Sequence, residues 1–455
     1  MISRRVFAYS PKEKKMATKI GFVSLGCPKN QLDLEVMLGH LVSEGYMITD
    51  AEDADIVVIN TCAFIESAKK ESIDNILDIA WLKENGSLKG IIVTGCMAEK
   101  YREEIMKEMP EVDALLGTGS VHSIIDAVRA VENGEKFTEF KDKNTVQLGG
   151  DRIVTTGDAY AYLKISEGCD NCCTYCAIPK LGGRFRSRPM EDLIKEAEEL
   201  VSLGIKEIIL VGQDTTSYGK DLYGEYCLDK LIRKISEETD ISWIRVLYCY
   251  PEKITEGLIS EFETNKKLLK YIDIPIQHIS DKILKKMNRK GDGALIRDVI
   301  KTLRKRVKGI AIRSTAIVGF PGESEVEFDE LCEFVKEAKF EHFGAFTYSR
   351  EEGTPAYDFT EQIDEQIKQD RYDILMKQQL YVTEKRLKSK VGKEVKVLCD
   401  GYDYVSESYF GRTADNAPEI DGTVFFTSKV KIPQGTFVSV RIKDVLDYDL
   451  TGEVI

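Results

Sequence analysis

From Lys19 onward, short apolar runs alternate with amphipathic stretches. Residues 20–25, 55–60 and 90–94 are strand-sized and apolar at successive positions, the pattern of parallel strands buried on both faces. Residues 31–44, 66–82 and 98–109 carry apolar side chains at helical spacing, so 18–135 is expected to be an open α/β domain. A polar stretch over 136–158 is expected to be a linker. A second series places strands at 160–166, 207–211, 243–249, 271–276, 311–318 and 342–348. Six strand-helix units are too few for a closed eight-stranded barrel, but they suit a partial (βα)6 barrel with an open side, spanning 159–388 with its charged exit helix over 361–388. Beyond residue 391 the helical period stops. Runs at 395–399, 424–426 and 437–442, set among Gly, Asp and Pro turns, predict a small all-β barrel over 389–455.

Composition narrows the class. With 43% hydrophobic and 31% charged residues among 455, the chain has material for large cores, and the apolar runs, such as 56–59 and 310–320, are too short to span a bilayer. Residues 1–17 form a basic extension (Arg4, Arg5, Lys12, Lys14, Lys15) without the apolar core of a secretion signal, and either Met1 or Met16 serves as the start. The expected location is therefore the cytoplasm, where an odd count of 11 cysteines points to metal ligation or catalysis rather than disulfides. A net charge of -13 disfavours a general polyanion-binding surface and suits a basic partner.

The sharpest local signal lies just after the first barrel strand, where Cys169, Cys173 and Cys176 form a CxxxCxxC set. A 4Fe-4S cube needs thiolates at several corners; three from one short loop leave the fourth iron open to another ligand. Zinc would normally call for a second cysteine pair or a nearby histidine, and none follows. Cys172 reads as a bystander. A second set, Cys27, Cys62 and Cys96, stands at the carboxyl ends of the three strands expected in the first domain, the rim where open α/β sheets gather ligands. The plainer alternative is three small apolar residues packed under helices.

The CxxxCxxC loop after the first strand of a partial barrel resembles the radical S-adenosylmethionine superfamily. The resemblance implies that the open iron binds S-adenosylmethionine and that an electron cleaves it to methionine and a 5'-deoxyadenosyl radical. Coupled with a three-cysteine auxiliary cluster and a carboxy-terminal β-barrel like the TRAM domain, the pattern is similar to the methylthiotransferases along nearly the whole chain. That resemblance implies two 4Fe-4S clusters, with Cys27, Cys62 and Cys96 holding the auxiliary one, at which sulfur is methylated for transfer. It also implies an S-adenosylmethionine pocket drawing on Gly183, Gln213, Gly319, Pro321 and Gly322.

Three strings look like the branch that methylthiolates the β-carbon of an aspartate in small-subunit ribosomal protein S-twelve, alone or in the ribosome: 24–30 (Ser-Leu-Gly-Cys-Pro-Lys-Asn), 213–219 (Gln-Asp-Thr-Thr-Ser-Tyr-Gly) and 274–278 (Ile-Pro-Ile-Gln-His). From residue 391 onward, seven Lys or Arg face eleven Asp or Glu, an acidic balance suited to a basic ribosomal protein and not to RNA. A tRNA adenosine methylthiotransferase and, from another class, a non-catalytic iron-sulfur carrier stand as alternatives, and an external electron donor is implied. The basic group Lys180, Arg184, Arg186 and Arg188 could meet a carboxylate or be structural. Residues 319–323 (Gly-Phe-Pro-Gly-Glu) form either a nucleoside-side turn or a purely structural one. His278 reads as a polar core residue, and Cys227, Cys249, Cys332 and Cys399 as structural.

Overall fold

The computed structural model describes residues 18–455 apart from residue 64, so the basic extension and the choice of start lie outside the described residues. The chain divides into two compact units. The first comprises residues up to Thr155 with Glu167–Asp170 and Cys176–Arg186; the second comprises Thr156–Ser166, Asn171–Tyr175 and Ser187–Ile455.

The first unit is built on an all-parallel six-stranded sheet in the order β2-β1-β3-β4-β5-β6. Its strands are β1 (Lys19–Ser24), β2 (Met47–Thr49), β3 (Ile56–Thr61), β4 (Gly90–Gly95), β5 (Ala114–Leu116) and β6 (Phe137–Glu139). Helices α1 (Pro28–Ser43), α2 (Glu66–Asn85), α3 (Cys96–Tyr101), α4 (Glu103–Glu108) and α5 (Ile124–Glu132) cover it. Alternate residues of β3 and β4 point to opposite faces, each of which is closed by helices. Ile56, Val58 and Ile92 pack with Met37 and Leu41 of α1 and Val128 of α5. Val57, Ile59, Ile91 and Val93 pack with Ile76 and Ile79 of α2 and Met97 of α3.

Two expectations need correction here. The single helix expected over 98–109 is two, because Arg102 adopts a φ of 43° and interrupts the hydrogen-bond ladder. Within the stretch expected as a linker, 136–158, residues 137–139 form β6, paired to β5, and the residues up to Thr155 pack on the first unit. The cause is Glu35 of α1, which is buried and therefore needs partners: Arg152 pairs with it, and the Thr155 backbone N–H and hydroxyl donate to it at 2.7 and 2.8 Å.

In the second unit β7 (Tyr160–Lys164), β10 (Glu207–Val211), β11 (Trp243–Val246), β12 (Leu268–Asp273), β13 (Ala311–Val318) and β14 (His342–Thr347) form a parallel sheet. They pair in chain order and do not close, giving the expected partial barrel. The two-residue strands β8 (Ser166–Glu167) and β9 (Arg186–Ser187) and the short α6 (Ile178–Leu181) accompany the cysteine loop. Helices α7 (Met190–Ser202), α8 (Leu228–Glu238), α9 (Glu256–Thr264), α10 (Asp281–Lys286), α11 (Gly293–Arg306), α12 (Glu325–Ala338) and α13 (Glu365–Lys388) complete the core. The carboxy-terminal strands β15 (Glu394–Asp403), β16 (Ser408–Arg412), β17 (Val424–Thr427), β18 (Phe437–Leu446) and β19 (Asp449–Val454) close into a five-stranded barrel.

At the amino-terminal ends of the core strands, buried ion pairs bind the small barrel to the core. Fully buried Glu207 of β10 accepts from Arg245 of β11 and from Arg412 of β16, both at 2.6 Å, and Arg412 also forks onto Asp400. Asp421 accepts from Tyr271 and Arg313 at 2.7 Å and faces His342. Of the eleven barrel acids, Asp400 and Asp421 are turned inward onto cations and half-buried Asp415 pairs with Lys390, so the exposed barrel is less acidic than its composition implies. Among the described residues, no helix is long and apolar enough to cross a membrane.

Candidate iron-sulfur sites

Register alone brings the first cysteine set to one rim. Ser24 lies opposite Asn60 and Asn60 opposite Thr94, so β1, β3 and β4 end together, and Cys27, Cys62 and Cys96 follow within three residues. Two of the cysteines enter through a glycine with positive φ, Gly26 at 99° and Gly95 at 92°, which turns the chain sharply off its strand. A Cβ on Gly26 would lie 3.3 Å from the Cys62 sulfur; one on Gly95 would lie 2.5 Å from Asn60 Oδ1. Only glycine allows this approach. Burial pushes the Cys96 thiol well above the usual thiol range, and Cys27 and Cys62 add to the shift. A hydrogen-bond lattice fixes the rim, with Asn30 Nδ2 donating to Leu25 O and Thr61 O at 3.1 Å, and Asn60 Nδ2 donating to Asn30 O at 2.6 Å. Ser72 Oγ accepts from Cys62 N at 3.1 Å and donates to Cys62 O at 2.8 Å. Three thiols at one rim are the donor type an iron-sulfur cluster takes, although among the described residues no three Cys, His, Asp or Glu side chains are gathered closely enough to hold a single metal ion.

The second set lies in the loop that leaves the core's first strand. Cys169 and Cys173 are buried, whereas Cys172 is exposed with a φ of 50°. Cys169 N donates to Gly183 O at 3.2 Å. The middle of the loop is pinned by Asn171, whose amide donates to Asp214 at 2.8 Å and accepts from Lys253 at 2.7 Å. Asp214 is itself buried and also accepts from Lys253, Ser217 and Thr216. Thr174 is held by the carbonyls of Met287 at 3.1 Å and Lys286 at 2.8 Å, and Asn288 Nδ2 donates to Cys172 O at 2.9 Å. Tyr250 Oη stands 3.9 Å from Cys173 Sγ. Three thiols within eight residues fit the same kind of donor set.

The other sequence candidates separate. A Cβ on Gly183 would meet Asn144 Oδ1 at 2.6 Å; Gly319 N donates to Glu323 at 3.0 Å, its α-carbon facing Lys368; and Gly322 N donates to Glu361 O at 2.9 Å beside Lys286. These three glycines therefore bear on the chain's own side chains. Gln213 follows β10 and Pro321 follows β13, both at carboxyl ends of core strands. Arg186 donates to the carbonyls of Val146, at 2.6 Å, and Lys143; Arg188 pairs with Glu196 at 2.7 Å, so both are structural. Arg184 is exposed beside Asp170. His278 is fully buried, with Nδ1 accepting from Ser280 N at 3.0 Å. Burial pushes Cys332 and Cys399 up to about 11 and Cys227 and Cys249 upward as well, as for inert thiols. Sequence reading missed Asn171, Asp214, Lys253, Tyr250 and Arg289. For Asp214 and Tyr250 the one available signal is position, just past the carboxyl ends of β10 and β11.

Comparison with known proteins agrees with this architecture. Residues 19–117 match the family described as Uncharacterized protein family UPF0004, 163–335 the Radical SAM superfamily and 391–455 the TRAM domain. The fold is also that of the radical S-adenosylmethionine methyltransferase TsrM from Kitasatospora setae, at a TM-score of 0.53 and 14% identity over 75% of this chain and 77% of that one. Fold, loop and family matches together define a radical S-adenosylmethionine enzyme. Among its relatives, the ribosomal protein uS12 methylthiotransferase RimO of Acetivibrio thermocellus is 49% identical over 97% of this chain and 99% of that protein. Those of Clostridium tetani and Thermoanaerobacter sp. are each 48% identical, over 96% and 95% of this chain and 98% and 99% of theirs. The chain belongs to the RimO family of methylthiotransferases.

Proposed function

We propose that this enzyme transfers a methylthio group to the β-carbon of an aspartate in ribosomal protein uS12, working in the cytoplasm with an external electron donor. The observation that carries the reading is the rim of Cys27, Cys62 and Cys96 at three neighbouring strand ends, in a chain that also holds a CxxxCxxC loop. In this assignment Cys27, Cys62 and Cys96 hold the auxiliary 4Fe-4S cluster and Cys169, Cys173 and Cys176 the radical one. Bound S-adenosylmethionine supplies the methyl group and, on one-electron reduction, the hydrogen-abstracting radical.

The chain's own residues supply position and shielding. Asp214 and Lys253 hold Asn171, and the Met287 and Lys286 carbonyls hold Thr174, which anchors the middle of the cysteine loop. Asn30, Asn60 and Ser72 do the same for the first rim. Gln213 and Pro321, past core strand ends, are assigned to S-adenosylmethionine, with Gly183, Gly319 and Gly322 shaping the turns beside it. Domain limits of 18–135, 159–388 and 389–455 suit these roles, with residues 136–155 belonging to the first unit and 156–158 to the second.

Mass spectrometry of uS12 and of tRNA from a deletion strain tests the assignment. The account expects uS12 to lose one methylthio group while tRNA nucleosides keep theirs; the reverse pattern would move the enzyme to the tRNA-modifying branch.

A further inference from the structure

Beside the radical loop the core holds an aromatic-cation pair, Arg289 buried and Tyr250 half-buried, that cluster ligation alone does not require. Tyr250 lies in the loop after β11, with its hydroxyl 3.9 Å from the Cys173 sulfur. Two cations flank its ring: the Arg289 guanidinium at 4.1 Å from the centroid and Lys253 Nζ at 5.1 Å. Arg289 is buried, and its described hydrogen bond runs to a backbone carbonyl, that of Pro275 at 3.0 Å, not to a carboxylate. The ring is held at its other end by Tyr250 N donating to Thr216 Oγ1 at 3.0 Å, which ties it to the Asp214 anchor of the same loop.

We propose that Tyr250 donates a hydrogen bond to the Cys173 sulfur and, with Arg289 on its ring, raises the reduction potential of the radical cluster; this rests on the assignment of Cys169, Cys173 and Cys176 to that cluster. A cluster-bound thiolate has no proton to give, so the phenol is the donor. Reduction adds one negative charge that spreads over the cluster sulfurs. A hydrogen bond to a sulfur and a nearby fixed positive charge both stabilise that state, and they act strongly where water is excluded. An arginine guanidinium stays protonated at every physiological pH, so Arg289 carries its charge here. The cation therefore persists at the site. Tyr250 and Arg289 are positioning and tuning residues here, acting on the cluster's electronics without ligating it.

The test is a redox titration of the full-length, anaerobically reconstituted protein followed by electron paramagnetic resonance, with the signal that changes on adding S-adenosylmethionine identifying the radical cluster. Tyr250→Phe removes one oxygen. It is expected to lower the reduced-to-oxidised ratio at a fixed potential by about tenfold, equivalent to about 59 mV for one electron. Arg289→Met should shift the ratio in the same direction and Arg289→Lys should restore part of it. An unshifted potential in Tyr250→Phe, with the S-adenosylmethionine-responsive signal intact, overturns the proposal even if Arg289→Met fails to assemble. Absence of any such signal in the unmodified protein would instead overturn the cysteine assignment itself.

Discussion

The two cysteine sets offer similar donors by opposite routes. Cys27, Cys62 and Cys96 come from three strand ends spread along the first unit, and only the register of β1, β3 and β4 brings them to one rim. Cys169, Cys173 and Cys176 come from one loop, where spacing alone guarantees nearness and the surrounding core supplies stiffness through Asn171 and Thr174. The first site is therefore as sound as its sheet, and the second as sound as its anchors. Damage to one should spare the other.

The largest separation is expected from Gly95→Val. A branched side chain at a φ of 92°, with its Cβ 2.5 Å from Asn60 Oδ1 and Thr61 O, cannot keep the turn into Cys96. The variant should lose about half of the iron of a two-cluster protein yet keep S-adenosylmethionine cleavage, as checked by iron and sulfide analysis beside 5'-deoxyadenosine assay. Asp214→Ala should do the converse. It frees Asn171 and leaves half-buried Lys253 with one partner fewer, so 5'-deoxyadenosine formation should fall roughly 10- to 100-fold while the first cluster stays loaded.

The smallest effect belongs to the amino-terminal ends of the core strands, where damage touches stability and neither cluster directly. Burial lowers His342 to about 4, with Asp421 opposing and Arg386 adding to the shift. The unfolded chain protonates its histidine near pH 6.5 while the fold resists. This contribution to stability is therefore complete above about 6.5 and is lost as pH falls towards about 4. Between pH 7.5 and 5.5 the loss is about 1 kcal/mol. Anaerobic denaturant titration at the two values should show a flatter pH dependence in His342→Gln.

Much of this layout is legible in the chain. Core strands such as β10, with Ile208, Ile209, Leu210 and Val211 all buried, carry continuous apolar runs that mark them plainly. The three-residue strands β2, β5 and β6 were missed because they are shorter than any period that could mark them. The α3/α4 break was missed because Arg102 takes its positive φ from tertiary context and not from propensity. Barrel strands β16 and β19 are half-exposed and each holds a glycine, Gly411 or Gly452, which blurs their alternation. In the sites, the cysteines announce themselves through spacing and strand-end placement. Asp214, Arg289 and the turn that carries Tyr250 and Lys253 do not, because they come from three separate parts of the chain and only the closed fold gathers them.

The central claim, two independent three-thiol clusters, is tested most directly by measuring 5'-deoxyadenosine and methylthiolated uS12 from the same reaction for Cys62→Ala and Cys173→Ala. The account predicts that Cys62→Ala still forms 5'-deoxyadenosine but transfers no methylthio group, and that Cys173→Ala does neither. Methylthio transfer by Cys62→Ala, or 5'-deoxyadenosine from Cys173→Ala at the unmodified rate, would contradict it.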